Sequence, residues 1–136
     1  MGYANPIGAK GAGDGLMRFT IKGEIVPAVR MTRKSKWVNP RAARYLDSKG
    51  SVAWQYEAQM AMNDWAMLPG QTPLSVHIEF GYCKHNQDID NLAKAMLDAA
   101  NGIVWPDDRW IDALDVVRLD TGIARTVVEV EVKGEQ

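Results

Sequence analysis

The sequence contains one cysteine, Cys83, among 136 residues. A lone thiol closes no intrachain disulfide and builds no all-cysteine zinc site, so a reducing, cytoplasmic setting is expected. Long apolar runs are missing too. Nothing approaches the roughly 20 consecutive residues that cross a bilayer, and no membrane role is expected. The opening MGYANPIGAKGAGDG lacks the apolar stretch of a signal peptide. Residues 1–16 read as a flexible Gly/Ala leader, and residues 17–136 as one domain of ordinary size. Acidic side chains are absent between Glu24 and Asp47, where Arg30, Arg33, Lys34, Lys36, Arg41 and Arg44 fall. The acids gather instead between Asp88 and Asp120, and the net charge of −1 hides this separation. A basic segment beside an acidic cluster suits a protein that grips a polyanion and holds cations against it. A solvated basic loop is the plain alternative.

With 46% hydrophobic residues the chain can form a packed core. Residues 18–26 alternate, Phe19, Ile21 and Ile25 against Arg18, Thr20, Lys22 and Glu24, which predicts a half-buried strand. The basic stretch that follows has no clear period and reads mostly as loop. From about Ser51 to Met67 the spacing of Trp54, Ala58, Ala61, Met62 and Trp65 predicts a helix with that stripe in the core, stopped by Leu68-Pro69-Gly70. Leu74, Val76, Ile78, Phe80 and Tyr82 share one face of a strand. A second helix starts near Asp90, a natural N-cap, with Gly102 as its C′ residue. Strands over about Ile111–Leu119 and Arg125–Val132 complete the order strand, helix, strand, helix, strand, strand. The expected architecture is α+β (mixed α/β), a small two-layer single domain.

Chemistry concentrates in DIDNLAKAMLDAANGIVWPDD, residues 88–108. In a helix starting near Asp90, the residues Asp90, Lys94 and Asp98 share a face, and an extended Asp88-x-Asp90 points both side chains one way. Asp107 and Asp108 join them if the strand after Asp108 pairs beside the strand ending near Tyr82. Carboxylates so crowded raise each other's pKa unless a cation intervenes, and hard oxygen ligands suit Mg2+ or Mn2+. Each residue also has an ordinary reading: Asp90 as a cap, Lys94–Asp98 as a surface pair, Asp107-Asp108 as a turn. His77 and His85 have no partner at ligand spacing and are expected to be solvated or hydrogen-bonded.

The series Asp88-x-Asp90-Asn91-x-x-Lys94-x-x-x-Asp98, followed by Asp107-Asp108, resembles the signature of the RusA family of Holliday-junction resolvases. More loosely, residues 17 to 132 follow the family's order of strand, Pro/Arg/Lys-rich segment and helix. The resemblance implies a homodimeric, Mg2+-dependent endodeoxyribonuclease that nicks opposed strands of a four-way junction in DNA recombination and repair, commonly phage- or prophage-borne. It maps the essential acids to Asp88, Asp90 and Asp108 and the essential lysine to Lys94, with Asp107 and Asp98 supporting and Asp107 a further metal ligand. The stretch VPAVRMTRKSKW differs from the family's tighter Pro/Arg arrangement, and Arg30, Arg33, Lys34 and Lys36 are the candidates for phosphate contacts. Trp37 and Tyr45 are candidates for stacking on a splayed base, though structural roles are commoner. Two rivals remain: a non-catalytic DNA-binding module of the same fold, and a DxD-type metal–nucleotide enzyme.

Overall fold

The computed structural model describes residues 16–29, 40–82, 87–119 and 121–133. Alternation produces its strands. In β1 (Leu16–Lys22) Met17, Phe19 and Ile21 are buried while Arg18 and Lys22 are exposed. In β2 (Leu74–Phe80) Leu74, Val76, Ile78 and Phe80 are buried, and in β4 (Arg125–Val132) Thr126, Val128 and Val130 are. With β3 (Ile111–Arg118) they form a mixed four-stranded sheet of order β1-β4-β2-β3. β4 runs antiparallel to both neighbours, and β2 and β3 run parallel.

Two helices complete the domain, α1 (Pro40–Met62) and α2 (Ile89–Ala100). Their buried residues and the inward faces of β1, β2 and β4 form one hydrophobic cluster, so the chain is a small two-layer α+β domain. Phe19 of β1 meets Tyr56 edge-on at 5.0 Å between ring centroids, and the Tyr56 hydroxyl donates to the Met96 carbonyl. Between α2 and β3, Trp105 is fully buried and its indole N–H donates to Asn101 Oδ1 at 2.7 Å. Gly102, at φ +83, ends α2 as a left-handed C′ residue. No helix among the described residues is long and apolar enough to cross a membrane.

Several expectations are revised. β1 stops at Lys22, because Gly23 takes φ +104 and turns the chain out of the sheet. Residues 40–50, expected as loop, belong to α1; Pro40 opens this helix, where a missing N–H costs nothing. The helix then ends at Met62 rather than Met67, and Asp64 adopts φ 57. The face turned to the sheet carries Ala42, Tyr45, Val52, Tyr56 and Met60. Trp54 is 68% exposed and Met62 81%, so the stripe drawn through them is largely the solvent side. α2 begins one residue before Asp90, making Asp88 the N-cap residue and placing Asp90 in the first turn. The leader, apart from Leu16, lies outside the described residues.

Candidate active site

Asp88 opens α2 in extended conformation, and its carboxylate makes no cap hydrogen bond. Asp90 accepts from the neighbouring Asn91 N–H, at 3.0 Å, and from no other group among the described residues. Neither side chain is therefore used up in closing the helix end. Both are favoured there by the positive end of the helix dipole, by roughly 0.3–1 kcal/mol each. The side-by-side pairing expected of an extended Asp-x-Asp does not form. Ile89 is already helical, and residues two apart on a helix do not face each other. Asp88 consequently lines one hollow and Asp90 another.

The first hollow is a cleft of about 700 Å³. One wall is the segment 24–29, anchored by buried Ile25 and Ala28 and by the Ala28 N–H bonding the Asn91 carbonyl at 3.1 Å. Arg41 and Arg44, three residues apart near the start of α1, stand in the same cleft as Asp88 and Asn91. Arginines that line a cleft at the positive end of a helix are of the chemical kind suited to phosphate. Reading residues 40–50 as loop hid this pair, because the cleft arises only once α1 and α2 pack together. Arg30, Arg33, Lys34, Lys36 and Trp37 lie outside the described residues, as do Cys83 and His85.

The second hollow, about 410 Å³, runs between α2 and β3 and is lined by Ile89, Ala93, Leu97, Leu114 and Val116. Asp90 and Lys94 contribute to it. Lys94 Nζ lies 3.5 Å from Asp98 Oδ2, which also accepts from the Tyr45 hydroxyl at 3.1 Å. Burial foremost, and then the Asp98 carboxylate, push the Tyr45 phenol well above its ordinary range. Tyr45 is 3% exposed and cannot stack on a base as envisaged from sequence. Its hydroxyl instead anchors Asp98, whose carboxylate also pairs with the largely exposed Lys94 ammonium.

Asp107 and Asp108 do not return to this end of the molecule. Asp107 accepts from the Arg109 N–H at 3.0 Å and caps a single 3-10 turn, Asp108–Trp110, that feeds β3. The strand does pair beside β2, as required, but in parallel, with Ile111 opposite Leu74. Arg118, at the far end of β3, donates to the Gln87 carbonyl next to Asp88. Twelve helical residues rise about 18 Å, so within one chain the two acidic pairs sit at opposite ends of α2. Among the described residues no three His, Cys, Asp or Glu side chains are grouped closely enough to hold a metal ion.

On the outer face of the sheet, His77 bonds Asp115 Oδ2 through Nδ1 at 2.7 Å and Glu79 Oε2 through Nε2 at 2.8 Å. This is the hydrogen-bonded histidine expected from sequence. The Glu79 hydrogen bond foremost, with Asp115, raises its pKa against a partial loss of hydration.

None of the curated proteins compared with the chain matches it. A family model does, that of the endodeoxyribonuclease RusA, over residues 23–131. That span takes in the cleft wall at residues 24–29, both helices, β2, β3 and all of β4 but its last residue. On this match, and on the acidic signature that opens α2, the chain belongs to the RusA endodeoxyribonuclease family.

Proposed function

We propose that the chain is a structure-selective endonuclease that resolves four-way DNA junctions by paired phosphodiester hydrolysis. The observation that carries this reading is the cleft in which Arg41 and Arg44 stand with Asp88 at the start of α2. A strand bound there would have its phosphate drawn to the two arginines, beside Asp88. Lys94, paired with Asp98, would neutralise charge that develops on the phosphoryl oxygens. The basic residues Arg30, Arg33, Lys34 and Lys36 extend the phosphate contacts under this reading.

The expected cofactor is Mg2+, with Mn2+ as a substitute, and Asp88, Asp90 and Asp108 are its proposed ligands. Such an ion would supply Lewis-acid polarisation of the phosphodiester and a more acidic bound water. Among the described residues of one chain this ligand set is not brought together.

Incubation of the full chain with a synthetic four-way junction, in Mg2+, in Ca2+ and without metal, tests the proposal. Incision in Mg2+ alone is the expected result. Binding without incision in every condition would leave only a DNA-binding module of this fold. Arg44→Gln should weaken junction binding and lower the slope of log affinity against log salt by about one. An unchanged slope would place the phosphate elsewhere.

A further inference from the structure

β2 and β3 run parallel, so their carboxyl ends lie side by side. Ligands of open sheets bind outside the carboxyl ends of such strands, and Gln87 and Asp88, which follow β2, line the arginine cleft. A site at this end needs a fixed main chain. Asp88 makes no side-chain cap hydrogen bond, so its carboxylate is aimed by the backbone that leads into it. The first turn of a helix leaves its N–H groups without intrahelical partners, and helix ends fray.

One short piece of chain holds that backbone on both sides. Phe80 stands opposite Arg118 in the parallel register, and its carbonyl accepts from the Leu119 N–H at 2.8 Å. Thr121 gives its N–H, at 3.2 Å, and its hydroxyl, at 2.8 Å, to the Gly81 carbonyl. The Gly81 N–H donates in turn to the Arg125 carbonyl at 2.8 Å. The fit there leaves no room for a side chain, since a Cβ on Gly81 would lie 2.6 Å from the Ile123 carbonyl oxygen. On the far side of the connection, the Arg118 guanidinium donates to the Gln87 carbonyl. The exit from β2 and the entry to α2 are thus tied to the end of β3 and the link that follows it.

Arg118 is the long side chain in this arrangement. Its planar fork of N–H donors can hold a carbonyl from a neighbouring strand in a set orientation. It does not line the arginine cleft itself, whereas Gln87 and Asp88 do. Any effect on the site therefore passes through the backbone it holds. Arg41 and Arg44, which would draw the phosphate in, are carried by α1.

We propose that Arg118 is a positioning residue: through the Gln87 carbonyl it fixes the backbone that aims Asp88 into the cleft. This rests on the endonuclease reading. It separates turnover from binding, because a misplacement of about 1 Å at a reacting centre costs on the order of a hundredfold in rate, while the arginines of α1 stay where they are.

The test compares full-length Arg118→Met and Arg118→Lys with wild type, in junction cleavage with Mg2+ and junction binding with Ca2+. Arg118→Met should lower kcat roughly ten- to a hundredfold and leave KM and affinity unchanged. Arg118→Lys keeps a cationic donor and should recover part of the loss. The slope of log affinity against log salt should match wild type in both. A slope lower by about one in Arg118→Met would make Arg118 a phosphate contact, and an unchanged kcat would leave it no part in the reaction. Either result overturns the inference, as does affinity falling in step with kcat, the mark of a general structural loss. Amide hydrogen exchange needs no turnover, so it decides the matter even if wild type leaves junctions uncut and the endonuclease reading fails. Faster exchange in Arg118→Met confined to residues 87–92 supports the anchor. Exchange there equal to wild type, or faster across the whole sheet, refutes it.

Discussion

His77 holds a carboxylate at each ring nitrogen, and a neutral imidazole has one N–H to give. Only the protonated ring satisfies both Glu79 and Asp115, which is the reason its pKa is raised. A folded-state pKa above the unfolded value of about 6.5 adds stability that is complete below that pH. That contribution fades as pH rises through the folded value. Denaturant titrations across this range should show wild type losing stability on the alkaline side relative to His77→Gln, and parallel curves would show that the ring gains nothing from its carboxylates. At the acidic end of α2 the charge logic differs. Asp90→Asn removes a carboxylate that repels DNA phosphate and is a proposed ligand, so cleavage should vanish while junction binding holds or strengthens. Full cleavage by this variant would remove Asp90 from the chemistry. The motif itself was readable from spacing, whereas Arg41 and Arg44 were not: they become site residues through packing of two helices 40 or more positions apart, which no local period encodes.

Strands β2 and β4 were legible almost to the residue, because each has one buried and one solvated face and alternation follows directly. α1 was harder. Gly50 lies inside it, and its first turns are rich in arginine and alanine, so the apolar signal starts late. The large side chain of Trp54 then drew the stripe onto the wrong face, while Tyr45, Val52, Tyr56 and Met60 carry the packing. Trp65, which partly joins the core against Phe19 at 5.4 Å, does so from beyond the helix end, where 3.6-residue spacing no longer applies. Two substitutions separate the faces by thermal or chemical denaturation. Trp54→Ser should change stability by no more than about 0.5 kcal/mol. Met60→Ala should cost roughly 2–5 kcal/mol. The reverse order would restore the stripe through Trp54 to the core.

Across the whole molecule, the direction of a single strand decides where the chemistry can lie. Adjacency of β3 to β2 was foreseeable from the sequence as a condition for the acids to meet, but the parallel sense was not. A helix-long connection between two neighbouring strands favours it, and with it Asp108 begins β3 at the end opposite Asp88. Family membership, the arginine-lined cleft and the Lys94–Asp98 pair are what support the proposed hydrolysis of DNA at the start of α2. The most direct measurement is the fate of the cut strands. A four-way junction labelled on two opposed strands, incubated with the protein and Mg2+, should yield paired incisions at symmetric positions. The resulting 5′-phosphate and 3′-hydroxyl ends should reseal with DNA ligase. Junctions that are bound but remain uncut, or are cut to ends that ligase cannot join, would contradict a resolvase.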